Sequence, residues 1–143
     1  MKRNVQLAQV NHTYAGHAWL PYSAGIVQAN AQAQSDLRES YRFSTPIFLR
    51  EDPRKLANSL DSPDILGISC YIWNWEWSKA LARETRKRHP QASIVMGGPQ
   101  VPNWSDGFFQ EHPYVDILVH GEGEITFANI LRERLGENPD YSG

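Results

Sequence analysis

The chain has 143 residues, 14 Lys plus Arg against 16 Asp plus Glu, and a formal net charge of −2, which means one domain and no basic field for gripping a phosphate backbone. Its longest apolar stretch, Ile65 to Trp73, is far too short to span a bilayer, and the N-terminus lacks a signal-peptide pattern. With a single cysteine, Cys70, the chain by itself can form neither a disulfide nor a cysteine-ligated iron–sulfur cluster. The expectation is a cytoplasmic globular domain with neither nucleic-acid nor membrane partners.

Elements alternate along the chain. Asn4–Val10 reads as a strand, followed by an irregular loop from Asn11 to Leu20. Pro21 suits the first turn of a helix to about Gln34, because proline there loses no hydrogen bond. Tyr41–Phe43 reads as a short strand near Pro46. Asp52 followed by Pro53 starts a helix with a carboxylate cap and a proline, and Pro63 lies beyond its end. Asp64–Tyr71 is a near-continuous apolar run, the mark of a strand buried on both faces. Asn74 caps a helix to about Arg88 with Trp77 and Leu81 on one face. Ser93–Met96 and Asp116–His120 are the remaining strands, with a short helical segment at Phe108 and Phe109 between them. A final helix, Glu124–Leu135, ends at Gly136, which can adopt a left-handed conformation.

Buried strands joined by helical crossovers make an α/β Rossmann-like fold. Five such units fit a parallel sheet in the flavodoxin-like order 2-1-3-4-5, with helices on both faces. Residues 1–136 form this domain and residues 137–143 read as a polar linker. In such sheets a ligand sits outside the carboxyl ends of the strands. The segments to examine are therefore Asn11–Tyr22, Ser69–Trp77, Gly97–Pro102 and Gly121–Glu124.

Each segment has a plain reading beside a functional one. Gly97-Gly98-Pro99 lets a flat ligand approach the backbone, or is an ordinary turn. On the first reading, a side chain at Gly98 blocks the ligand and leaves the fold intact. Gly121-Glu122-Gly123-Glu124 exposes helix-start amides to a phosphate or hydroxyl, or is a capping turn. The Ser69 hydroxyl can donate to a ring nitrogen or bond the local backbone. Cys70 reads as a small buried hydrophobe. His12 and His17 lack acidic or cysteine partners at metal spacing, and His120 reads as orienting its own turn. The first loop, NHTYAG, lacks the G-x-G-x-x-G of a dinucleotide site.

Together PYSAG (Pro21–Gly25), PDILGISCYIWNW (Pro63–Trp75), IVMGGPQVP (Ile94–Pro102) and VDILVHGEGE (Val115–Glu124) resemble one family. It is the N-terminal cobalamin-binding domain of cobalamin-dependent radical S-adenosylmethionine enzymes of the methyltransferase type. The resemblance implies that Ser69 and Cys70 end the strand beside the nucleotide tail and that Gly97, Gly98 and Pro99 make room for it. It also implies that Gly121, Glu122 and Gly123 line the tail's other side, while Tyr71, Trp73, Asn74 and Trp75 lie near the corrin. Asn11, Tyr14, Pro21, Tyr22 and Ser23 complete the implied cofactor-binding set.

The expected cofactor is cobalamin. S-adenosylmethionine and its iron–sulfur cluster belong to a C-terminal radical domain of the same polypeptide. No residue of this chain is assigned a catalytic or metal-ligating role. Classical cobalamin proteins carry D-x-H-x-x-G after the first strand, with the histidine on cobalt. Here Asn11-x-Thr13-x-x-Gly16 stands there, with His12 one position early. The expectation is base-off, histidine-off cobalamin, with Trp73 beneath the corrin and Trp75 as second choice. The alternatives are that both tryptophans pack into the following helix, or that the domain is an interaction scaffold binding no corrin.

Overall fold

A computed structural model describes residues 1–141. Its principal sheet has strands β1 (Arg3–Ala8), β4 (Tyr41–Phe43), β5 (Ile65–Ser69), β6 (Ser93–Gly97) and β7 (Ile117–Val119). All four pairings are parallel, in the order β4-β1-β5-β6-β7. This is the expected 2-1-3-4-5 order. β5 is buried on both faces because it lies in the middle, which explains its unbroken apolar run.

Side chains alternate across the sheet and divide the core in two. Val5, Leu7, Ile65, Val95, Ile117 and Val119 face one layer of helices: α1 (Tyr22–Ala33), α2 (Ser35–Ser40) and α6 (Gly123–Leu135). Ala8, Leu66, Ile68, Ile94 and Met96 face the other: α3 (Pro53–Ser59), α4 (Trp75–Arg88) and α5 (Phe108–Glu111). The Tyr41 hydroxyl donates to the Leu131 carbonyl at 2.8 Å, tying the edge strand to α6. Asp52 caps α3 as expected, accepting from the Lys55 amide at 2.9 Å.

Several local expectations are corrected. The first loop contains a small antiparallel hairpin, β2 (Thr13–Tyr14) with β3 (His17–Ala18). Ala15 (φ 49°) and Gly16 (φ 78°) form its turn, and positive φ at both central residues matches strand twist. The first long helix ends at Ala33, where expected, but after the extended Gln34 an unforeseen α2 starts anew with Leu37 fully buried as its anchor. Gly136 is extended (φ −70°) rather than left-handed. Asn74 stands at the N-cap of α4, but its side chain does not cap. In the expected linker, Tyr141 packs partly buried against the first core layer; residues 142 and 143 lie outside the described residues. No helix of the described residues is long and apolar enough to cross a membrane.

Candidate functional site

A cavity of about 290 Å³ opens at the carboxyl ends of the strands, between the sheet and helices α1 and α6. The geometry follows from strand alternation. Leu7, Gly67, Ser69, Val95, Gly97 and Val119 occupy same-face positions of β1, β5, β6 and β7. Val27 of α1 and Phe127 of α6 supply walls. The buried side chains that face it are apolar: Leu7, Ala24, Val95, Val119 and Phe127. Among the described residues no lysine, arginine or histidine lines it. Such a space suits a flat, weakly polar ring rather than a free anion.

Glycines shape the space. A Cβ on Gly67 would lie 2.6 Å from Leu7 Cδ2 and 3.1 Å from Phe127 Cε2, so glycine there lets those two side chains close down on the strand. Gly121 is left-handed (φ 72°) where β7 hands over to α6, and a Cβ there would meet nothing within 4 Å. Gly98 departs from expectation. At φ 105° its Cβ would lie 2.5 Å from the Cys70 carbonyl oxygen and 2.9 Å from the Cys70 nitrogen. Glycine is required at 98 by the neighbouring backbone, so a substitution there strikes the fold before any ligand.

Most residues singled out in the sequence converge on this cavity. Tyr22, Ser23, Ser69, Tyr71, Gly97, Gly98, Pro99, Gly121, Glu122 and Gly123 line it. Ser23 Oγ and the Tyr71 hydroxyl share a 2.6 Å hydrogen bond between α1 and the loop after β5. Ser69 closes β5 half-buried, its hydroxyl without a protein partner among the described residues.

Others stand beside the cavity. Trp73 stacks on Tyr71 (centroids 4.6 Å apart, planes 10°) and donates from Nε1 to Asn11 Oδ1 at 3.2 Å. Its carbonyl accepts from Arg50 at 2.7 Å. Pro21 precedes α1, and its carbonyl accepts from the Gly25 amide. Tyr14 is exposed in the hairpin.

Three residues of the expected set turn away from the cavity. Trp75 packs on the opposite core layer, its ring 6.3 Å from Phe108. Cys70 is wholly buried on that same side, and burial pushes its thiol up to about 12. Asn74 is 1% exposed; it accepts from the Tyr71 amide at 2.8 Å and donates to the Val10 and Ser69 carbonyls at 3.0 Å each. It locks the ends of β1 and β5 together. His120 reaches across to the Pro102 carbonyl (2.7 Å) instead of bonding within its own turn.

Sequence reasoning missed the cavity's inner wall: Leu7, Val27, Gly67, Val95, Val119 and Phe127. Only Gly67 carried a usable signal, a lone glycine inside an apolar strand, which marks a close approach. The aliphatic residues are indistinguishable in sequence from ordinary core.

The profile of the B12 binding domain matches residues 24–131. This chain belongs to the B12-binding domain family. The matched stretch holds most of α1, every strand of the sheet except β1, and most of α6, so it brings most of the cavity lining with it. This B12-binding domain is 42% identical over 124 residues to the 2-(S-pantetheinyl)-carbapenam-3-carboxylate methyltransferase of Streptantibioticus cattleyicolor, covering 87% of this chain and 18% of that protein. It is 38% identical over 126 residues to the cobalamin-dependent radical SAM methyltransferase TokK of Streptomyces tokunonensis, covering 88% and 18%. An uncharacterized methyltransferase of Pyrococcus horikoshii is 31% identical over 126 residues, covering 87% and 26%. The chain thus spans about a fifth of the length of these relatives.

Proposed function

We propose that this chain is the cobalamin-holding domain of a cytoplasmic, cobalamin-dependent radical S-adenosylmethionine methyltransferase. One observation carries the reading: the carboxyl-edge cavity gathers Ser69, Gly97 and Gly121–Gly123, the segments expected around a nucleotide tail, within a B12-binding domain. Its apolar walls and available Ser69 hydroxyl fit a flat heterocycle with one ring acceptor. Ser69 would donate to that acceptor, Val119 and Phe127 would exclude water, and the Tyr71–Trp73 stack would offer a flat apolar surface to the corrin. Bound cobalamin supplies methyl-carrying chemistry, and the protein supplies binding and orientation. S-adenosylmethionine and the iron–sulfur cluster would be held by a radical domain elsewhere in the same polypeptide, as the greater length of the relatives supports.

In this reading the cofactor is base-off and histidine-off, with Trp73 rather than histidine under cobalt. Support comes from the way Trp73 is held, by Tyr71 on its face and Asn11 at its Nε1, with the His12 ring 6.0 Å from it and His17 exposed in the hairpin. Trp75, committed to Phe108, drops out of that role. The test is to mix the protein with hydroxocobalamin, desalt it and record the visible spectrum. About one equivalent of retained corrin is expected, and none would favour an interaction scaffold. Electron paramagnetic resonance of the Co(II) form then reads the axial ligand. A nitrogen splitting that disappears in His12→Ala or His17→Ala would contradict the histidine-off reading.

A further inference from the structure

Resting on the cobalamin reading above, we propose that the cavity selects among corrinoids by the chemistry of the nucleotide base, accepting a benzimidazole and rejecting a purine. The buried side chains that face the cavity, Leu7, Val95, Val119 and Phe127, offer such a base only hydrocarbon. Of the hydroxyls at the cavity, those of Ser23 and Tyr71 are spent on each other at 2.6 Å. Tyr22 is turned largely to solvent. That leaves the Ser69 hydroxyl, on the same face of β5 as Gly67. Glu122 and Glu124 belong to the first turn of α6 and its cap, at the rim.

One hydroxyl within an aliphatic enclosure satisfies one ring nitrogen. A dimethylbenzimidazole asks for no more, since its remaining edge is C–H and methyl. An adenine brings an exocyclic amine and additional ring nitrogens, each stripped of water on entry and faced by valine, leucine or phenylalanine carbon. A buried polar group left without a partner weakens binding by roughly 10- to 100-fold. The same lining disfavours a flavin or nucleotide held by its phosphate, because no cationic side chain lines the cavity among the described residues.

The test compares hydroxocobalamin, its adenine-tailed analogue and its cresol-tailed analogue, all with the same upper ligand, by quenching of the chain's own tryptophan fluorescence. Hydroxocobalamin should bind at least about tenfold more tightly than the adenine-tailed compound. Ser69→Ala should weaken hydroxocobalamin several-fold and leave the cresol-tailed compound, which has no ring nitrogen, unchanged. Equal affinities for the benzimidazole and adenine tails would mean that solvent or Glu124 reaches the amine, and would overturn the proposal. So would an equal loss for both ring types in Ser69→Ala. Uptake of none of the three would overturn the cobalamin reading itself and this inference with it, whereas uptake without discrimination overturns this inference alone.

Discussion

Asn74→Asp is the most informative single change in the scaffold of the site. The substitution preserves shape and keeps an acceptor for the Tyr71 amide (2.8 Å) and the Ser78 hydroxyl (3.2 Å). It removes both hydrogens that Asn74 donates, to the Val10 and Ser69 carbonyls at 3.0 Å. At neutral pH it aims a carboxylate at those two oxygens in a position 1% exposed. Each buried carbonyl left without a donor costs about 1–3 kcal/mol, so a loss of roughly 3–5 kcal/mol is expected. That is a large fraction of the ~5–15 kcal/mol available to a domain, and corresponds to roughly 10–17 °C in Tm.

The pH dependence has a definite sign. Facing two carbonyls without solvent, the new carboxyl is pushed toward its neutral form, so its folded pKa lies above the ordinary value of about 4. The protonated side chain can again donate one hydrogen. The penalty should therefore be greatest at pH 7 and shrink as pH falls toward about 4. Asn74→Ala should be destabilised without that trend. The assay is urea unfolding followed by far-ultraviolet circular dichroism, each variant measured against wild type at pH 7 and pH 4.5. A difference below about 1 kcal/mol for both variants would refute the role assigned to Asn74, given the magnitude expected for its hydrogen bonds.

Further outcomes are expected elsewhere. Gly98→Ala should destabilise strongly, because positive φ strain of about 1–3 kcal/mol adds to collision with Cys70 backbone; a Tm within a degree of wild type would contradict this. Tyr41→Phe should cost about 0.5–1.5 kcal/mol in chemical denaturation by removing the hydroxyl's bond to the Leu131 carbonyl. Cys70, its thiol pushed up to about 12 by burial, should resist iodoacetamide at pH 8 until the protein unfolds. Because its folded pKa exceeds the unfolded value near 8.5, its contribution to stability is intact below about pH 8.5. That contribution declines by about 1.4 kcal/mol per pH unit above it, as alkaline denaturation of wild type and Cys70→Ala would reveal.

Legibility in the sequence tracked how local the physics was. The β5 run and Asp52-Pro53 depend on burial and capping that act over a few residues, and both appear where expected. The strand order followed from connection rules, and with it the edge that carries the cavity. Gly98 was read as space for a ligand because its real constraint, Cys70 of the neighbouring strand, is visible only once β5 and β6 pair. Asn74 looked like a helix cap, but its partners Val10 and Ser69 come from two strand ends. Trp73 and Trp75 were first and second choice in sequence; helix phase sends Trp75 to Phe108 and leaves Trp73 with Tyr71. The hairpin at Thr13–Ala18 escaped notice because two-residue strands have too little alternation to register.

The central claim, that cobalamin binds here with its tail in the α1–α6 cavity, is tested most directly by a crystal structure of the protein loaded with hydroxocobalamin. The account predicts the benzimidazole off cobalt, against Val119 and Phe127, with its nitrogen within hydrogen-bonding distance of Ser69 Oγ. A benzimidazole still coordinated to cobalt, or a corrin bound away from this cavity, would contradict it.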